Sequence, residues 1–392
     1  MAFNHPLMAN NIDRKDLDAV IEFLETDNPR LTNGPMVERF EKAWAQWLDV
    51  EYCVFVSSGS AANFITIQAL KLLYPNGGSI LVPPLTWVSD ISAVLHHGFD
   101  PVFVDIDLST LSMNSELVAD SIRDDTVAVF ITHAQGFNGL TDDLLALLKE
   151  RNILLIEDVC ESHGATHNDK KLGTFGFASN FSFFYAHHMS TIEGGMICCN
   201  DQNFYQICRA LRSHGMVRES NSLPFKQNFL DRHPDLNPDF IFLAPAFNFR
   251  NTEIGAVIGL SQLPKLDLNN GRRIANYRRF YGALDAQKFV VDFRHEGSCN
   301  YAFQIILQPE FASKVDSIMR MMDRIGIEFR RGSAGGGNQL RQPYLNHLAI
   351  DFSSYPVVEY VHKYGFYIGN YPSLSFEKID WLISAFNAWD DD

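Results

Sequence analysis

Two adjacent histidines, His187 and His188, stand between an aromatic run, FSFFYA, and a turn at Gly194 and Gly195. Imidazole exchanges protons near neutrality, so a histidine pair on a turn beside a sheet edge suits acid–base work. A structural role is the alternative for at least one of them, and a zinc reading lacks a third ligand. Asp158 closes the apolar run ILLIED. A carboxylate there needs a partner such as a protonated ring nitrogen or an arginine, unless it caps the next helix in solvent. Glu161, Ser162 and His163 follow within one turn and enrich the same rim. Ser58, Gly59 and Ser60 lie between a strand and a helix, where backbone N–H groups and a helix N-terminus can hold a phosphate without a lysine. An ordinary serine cap is the other reading. Trp87 could stack on a flat ring or pack in a core. Asn248 and Arg250 in FNFRN, and Arg330 and Arg331 ahead of a Gly-rich stretch, offer anion contacts or surface ion pairs.

These residues need a scaffold, and the spacing of the apolar runs predicts one. CVFVSSG, SILVPP, PVFVDID, VAVFITH, ILLIEDV, FSFFYA and GGMICCN alternate with helical patterns, one of them starting at Ser60. Strands separated by helix-length segments predict an α/β protein whose parallel or mixed sheet presents ligands at strand carboxyl ends. Residues 216–245, rich in Asn, Pro and aromatics and without a period, predict a lid or partner-contacting arm with no regular element. A helical pattern returns at Thr252, with a domain junction expected inside it near residue 265. That divides the chain into a large domain, 1–265, and a small α+β domain, 266–392. The small domain is expected to comprise FVVDF, YAFQIIL, a helix around VDSIMRMMDRIG, IEFRRG, YGFYIGNY and a last helix from Ser375.

A length of 392 residues suits two domains better than one core. The formal net charge of −15 argues against nucleic acid as a partner, because that binding rests on Lys and Arg neutralising phosphates. No run approaches the ~18 apolar residues of a membrane span, and the N-terminal stretch lacks an apolar signal core, so a cytoplasmic protein is expected. The six cysteines form no C-x-x-C pair; neither disulfides, a metal site nor an iron–sulfur cluster is expected, and most should be buried small hydrophobes.

SSGSAAN, PPLTW, VDID, EDVCESHGA, the GTFG before FSFF, EGGM and NFRNTEIGAVIGLSQL follow one another over most of residues 1 to 265. In that order they resemble the DegT/DnrJ/EryC1/StrS sugar aminotransferase and dehydratase family of fold-type-I pyridoxal-phosphate enzymes. The resemblance implies an aspartate-aminotransferase-like fold with a large mixed-sheet α/β/α domain and a small α+β domain. It also implies pyridoxal 5'-phosphate used through its pyridoxamine 5'-phosphate form, L-glutamate as donor, a keto or oxo sugar as acceptor, and a homodimer with shared sites. By the same resemblance Gly59, Ser60 and Ser182 hold the cofactor phosphate, and Asn248 reaches it from the partner subunit. Trp87 stacks on the ring, Asp158 pairs with the ring N–H⁺, and Glu161 stands where the family usually has a Gln beside the ring hydroxyl. His214, Arg250, Arg330 and Arg331 fall on the substrate side, and Arg341 joins the last two as suited to a sugar carboxylate.

One residue departs from the family pattern. The lysine that normally precedes the Glu of E-G-G by six residues is His187, counting back from Glu193. Imidazole has no primary amine and cannot form the usual imine, so the resemblance implies a cofactor held noncovalently or as an imine with an amino-acid donor, and a proton shuttled by His187. The leading expectation is a glutamate-dependent transaminase of bacterial lipopolysaccharide synthesis that forms 8-amino-3,8-dideoxy-manno-octulosonate from an 8-oxo sugar acid. A 3-dehydratase of GDP-4-keto-6-deoxy sugars is the alternative. A noncatalytic binding protein, suggested by the missing lysine alone, is a third reading.

Overall fold

Apolar, β-branched runs buried on both faces build one sheet in the first half of the chain. The computed structural model describes residues 4–389. The strands are β1 (Tyr52–Val56), β2 (Ser79–Val82), β3 (Asp100–Phe103), β4 (Thr126–Thr132) and β5 (Leu154–Asp158), then a two-stranded hairpin, β6 (Thr166–His167) and β7 (Lys170–Lys171), then β8 (Ala178–Ser182) and β9 (Gly195–Cys199). All but the hairpin join a seven-stranded sheet in the order β1-β9-β8-β5-β4-β2-β3. β9 runs antiparallel to both its neighbours and the other pairings are parallel. The carboxyl ends of β1, β2, β4, β5 and β8 therefore face one way, which is where such sheets place ligands. FSFFYA extends the strand it belongs to only as far as Ser182; Phe183 through Ala186 already form the turn that carries the histidines.

Three further strands, β10 (Ala302–Ile306), β11 (Phe329–Arg331) and β12 (Gly365–Gly369), form a separate antiparallel sheet in the order β10-β12-β11. FVVDF is not among them. Phe289, Val290 and Phe293 are buried in the core, but only Phe289 makes a ladder contact, with Leu307. Burial without pairing is the ambiguity inherent in a short apolar run.

One other expectation needs correction. Residues 216–245 contain a helix, Leu223–Arg232, capped by Ser222 through the Phe225 amide, and a short 3-10 turn, Pro238–Phe240. The helical pattern that begins at Thr252, within which the junction near residue 265 was placed, is one helix, Glu253–Tyr281, which includes Pro264 and continues without a break. Its Ala256 and Leu266 pack in the core under the large sheet, and its Tyr277, Phe280 and Tyr281 pack in the core around the small sheet. The helix thus changes partners between Leu266 and Tyr277 rather than stopping.

Buried carboxylates fix the elements that reach the site. Glu41 Oε1 accepts from the Phe55 amide at 2.8 Å and from Arg212 Nη1 at 2.6 Å, and Arg212 donates also to the Phe55 carbonyl at 3.2 Å. Both side chains are buried, and together they pin β1, the strand that delivers Ser58 to Ser60. Glu41→Ala strands the guanidinium charge in the core, so chemical denaturation should show a loss of about 3–5 kcal/mol. Asp105, which follows β3, is also buried. It accepts from the amides of Val357 and Val358 at 2.9 and 3.0 Å, the first turn of the helix Pro356–Tyr364, whose own N-cap, Tyr355, makes no side-chain cap bond.

Candidate active site

The strand ends converge on a pocket of about 640 Å³, a size suited to a small ligand. Gly59 and Ser60, Trp87, Asp158 and Glu161, Ser182, His187 and Arg330 all line it.

Ser58 caps the helix Gly59–Leu73, its hydroxyl accepting from the Ala61 amide at 3.0 Å. Helix geometry leaves the next amides, of Gly59 and Ser60, without an intrahelical acceptor. The backbones here are close. A Cβ on Gly59 would lie 2.7 Å from Ser182 Cβ, and one on Gly195 would lie 2.2 Å from the Ser58 carbonyl oxygen. Glycine at both places lets the first helical turn, the end of β8 and the start of β9 meet.

Asp158 is 3% exposed at the end of β5. Its oxygens accept from Asn63 Nδ2 at 2.9 Å and from the Cys160 amide at 2.8 Å, and among the described residues no cation pairs with it. Behind it Asp90 is fully buried and accepts from Asn63, Thr86 and Thr132. Burial, reinforced by the Asp158 charge, holds the Asp90 carboxyl well above the usual range. Of the two neighbouring acids, Asp158 is the one that faces the pocket.

Past β8 the chain turns, with the His187 amide donating to the Phe184 carbonyl at 3.0 Å. His187 Nδ1 lies 3.2 Å from the Ser182 carbonyl oxygen. A carbonyl can only accept, so this contact assigns the proton to Nδ1 and the lone pair to Nε2. Burial pulls the imidazole down to about 4, with the Ser182 contact and Asp158 opposing and Arg273 assisting. The ring is therefore neutral at ordinary pH. His188 is fully buried with Nε2 2.8 Å from the Cys299 carbonyl oxygen, and its ring stacks on that of His163 at 5.2 Å. The pair divides into one histidine in the pocket and one in the core. Ser162 and His163, expected on the rim, are also fully buried.

Glu161 bridges the two sheets. Its Oε2 accepts from the Gln135 amide at 2.6 Å, and its Oε1 lies 3.2 Å from the Tyr301 hydroxyl. Burial pushes this carboxyl up to about 7; the Gln135 bond opposes that shift and the Asp158 charge adds to it. Trp87 stands at the mouth with 57% of its surface exposed, which separates it from a core indole.

Of the expected arginines and partner-side residues, only Arg330 lines the pocket. Arg330 pairs in register with Tyr367, and both face the pocket; Arg331 pairs with Phe366 and, by strand alternation, takes the opposite face. Arg341 is engaged by Glu359 through two 2.6 Å contacts, Nε to Oε1 and Nη2 to Oε2, and is not free for a sugar carboxylate. His214, Asn248 and Arg250 do not line this chain's pocket. They lie where the chain pairs Ser213 with Asn248 and Val56 with Arg250, along the outer edge of β1, and His214 and Asn248 are exposed.

Tyr301, Tyr367 and Cys160 line the pocket without having been singled out from sequence. Tyr301 immediately precedes β10 in a run legible as a strand, and that position is the one signal that could have drawn attention to it. Cys160 is half-buried, and burial and Asp158 push its thiol up, away from the reactive thiolate. None of the described helices is long and apolar enough to cross a membrane, and no group of described residues forms a metal-ligand cluster.

The chain is 31% identical, over 97% of its length and 98% of the relative's, to the GDP-4-keto-6-deoxy-D-mannose 3-dehydratase of Escherichia coli O55:H7. It is 28% identical to the GDP-perosamine synthase of Escherichia coli O157:H7 over 91% of each chain. Its fold matches a crystal structure of GDP-4-keto-6-deoxymannose-3-dehydratase with a trapped PLP-glutamate geminal diamine. The TM-score is 0.87 at 29% identity, covering 98% of this chain and 100% of that one. The family model for the DegT/DnrJ/EryC1/StrS aminotransferases matches residues 10–387. With nearly the whole chain matched and the sheet architecture shared, this protein belongs to the DegT/DnrJ/EryC1/StrS aminotransferase family.

Proposed function

We propose that this protein is a pyridoxal-phosphate-dependent sugar enzyme that takes nitrogen from L-glutamate and removes the C3 hydroxyl of a GDP-linked 4-keto-6-deoxy sugar. The observation that carries it is His187: a neutral imidazole with a free Nε2 stands in the pocket at the place of the family's amine. The pocket fits the cofactor on its own chemistry. Gly59 and Ser60 amides and the Ser182 hydroxyl suit a phosphate, the uncompensated buried Asp158 suits a protonated ring nitrogen, and the exposed Trp87 indole suits the ring face. When bound, the cofactor supplies a ring that delocalises the electron pair left on a carbon attached to its nitrogen. Asp158 keeps the ring nitrogen protonated, and Nε2 of His187 takes the proton from that carbon and returns it. The dehydratase outcome rests on the 31% identical relative, which spans nearly the full chain.

Transamination to 8-amino-3,8-dideoxy-manno-octulosonate is the second reading, favoured by Arg330, which lines the pocket and suits a sugar carboxylate. Mass analysis of the products separates the two. With pyridoxal phosphate, glutamate and the GDP-4-keto sugar, the expected result is a product short of one hydroxyl, plus free ammonia. An amine retained on an 8-oxo-octulosonate would establish the second reading instead, and glutamate failing to convert the cofactor's aldehyde absorbance would sink both.

A homodimer belongs to the same proposal, with Asn248 of each chain reaching its partner's phosphate site. Leu223, Phe240, Phe242 and Phe247 leave 53–78% of their surface exposed around this segment, a density that marks interaction surfaces. Sedimentation as a single-chain species would remove this part of the proposal.

A further inference from the structure

Glu161 and Tyr301 are more polar and more constrained than a ring contact requires. Tyr301 comes from the edge of the small sheet and Glu161 from the loop after β5, and their side chains meet at 3.2 Å in the pocket that contains His187. The Tyr301 ring is 5.8 Å from that of His187, so the pair stands beside the base. Gln135 is held at a φ of +56, a region costly for a residue with a Cβ, and the Gln135 amide donates to Glu161 Oε2. The strained turn thereby occupies one carboxyl oxygen and leaves the other for the tyrosine.

We propose that Glu161 and Tyr301 form a proton relay that protonates the oxygen leaving the sugar, while His187 serves as the base. This rests on the dehydratase reading above. His187 Nε2 removes the proton from the carbon bearing the transferred nitrogen. The amine form of the cofactor, when bound, would supply the conjugated system that takes up the released electron pair as the C3–O bond breaks. The departing oxygen takes the Tyr301 hydroxyl proton and leaves as water, and the Glu161 carboxyl proton replaces the one Tyr301 gave. His187 ends protonated and Glu161 ionised, and solvent exchange restores both.

The direction of one hydrogen bond makes the relay conditional. A protonated Glu161 donates to the Tyr301 oxygen and frees the tyrosine proton for the substrate; an ionised Glu161 can only accept, and captures that proton. Groups facing Glu161 are Asp158 and Cys160 on its own segment and Tyr301 and Tyr367 on the small sheet. The Glu161 carboxyl, pushed to about 7, is the acid form below that pH, whereas His187, lowered to about 4, is the base form above it. Environments that push two pocket groups apart in this way assign one as acid and the other as base.

Single-turnover measurements on the two half-reactions test this with the full chain and its cofactor. Glu161→Gln and Tyr301→Phe should each slow the sugar half-reaction by about 100-fold or more relative to the glutamate half-reaction, within the range general acid catalysis supplies. In the native protein the sugar half-reaction should decline above about pH 7 while the glutamate half-reaction does not, and Glu161→Gln should abolish that decline. A decline that persists in Glu161→Gln, or two half-reactions slowed equally in both variants, would overturn the relay and leave the function intact. A native protein without the glutamate half-reaction would fail at the earlier reading, a distinguishable result. Tyr301→Phe, which removes one oxygen and keeps the ring, covers the case in which the glutamate variant does not fold.

Discussion

His187→Asn should bind pyridoxal phosphate yet convert it with glutamate about 10²–10⁴-fold more slowly, the span lost when a positioned proton-transfer group is removed. The asparagine amide can still reach the Ser182 carbonyl, so the turn should survive, but it has no basic lone pair. The native pH profile carries the same information. Proton removal needs the neutral ring, and an imidazole lowered to about 4 is neutral above that pH. The glutamate half-reaction should therefore stay level down to about pH 4 and fall tenfold per unit below it. Borohydride treatment of the native holoenzyme should fix no cofactor on residue 187; a covalent adduct there would remove the basis of the site assignment.

Asp158→Asn is expected to weaken cofactor binding by roughly 10²–10⁴-fold, because losing one member of a buried charge pair costs about 3–5 kcal/mol. The cofactor-free protein should respond the other way. Asp158 faces a second buried carboxyl, Asp90, whose proton it helps to hold, and Asn63 donates to both. In the cofactor-free protein Asp158 is a buried carboxyl with no cation beside it, a costly arrangement, so the melting temperature without cofactor should hold or rise while affinity collapses. A parallel loss of both would mean that Asp158 is part of the framework rather than a ligand group. Titration of cofactor absorbance and thermal unfolding of the same two proteins decide between these outcomes.

Most of the large sheet was readable because its strands are short apolar runs bounded by turns. LLIED and GMICC show almost unbroken burial, and each of the seven runs overlaps a strand, FSFFYA only at Phe181 and Ser182 of β8. FVVDF looked the same in sequence and is not a strand, because its pairing stops at the single bridge of Phe289 to Leu307, closed by the Val290 amide on the Ile306 carbonyl and the Gln308 amide on the Lys288 carbonyl. The helix Leu223–Arg232 carried its own signals, a serine cap, an early proline and Phe225 and Phe229 four apart, but the polar surroundings masked them.

At the site, residues that follow strand ends were legible, since topology alone brings Gly59, Asp158 and Ser182 to one rim. Arg330 and Arg331 could not be told apart until the register with Tyr367 and Phe366 assigned their faces. Arg341 depended on Glu359, eighteen positions away, and Tyr301 on a carboxyl in the other sheet's loop. Such pairings are set by tertiary geometry and leave no local mark.

Asp105 has one further consequence. Its carboxylate latches the first turn of the helix that leads into β12, the strand bearing Tyr367. Swinging that unit away would break both bonds, at about 1.5–3 kcal/mol for each hydrogen bond to a charged group. The wall carrying Arg330 and Tyr367 is thus already assembled before any ligand arrives, and its ordering entropy is spent during folding instead of binding. The side of the pocket that a ligand meets at Arg330 and Tyr367 is accordingly a standing mould, tied through Asp105 to the large sheet.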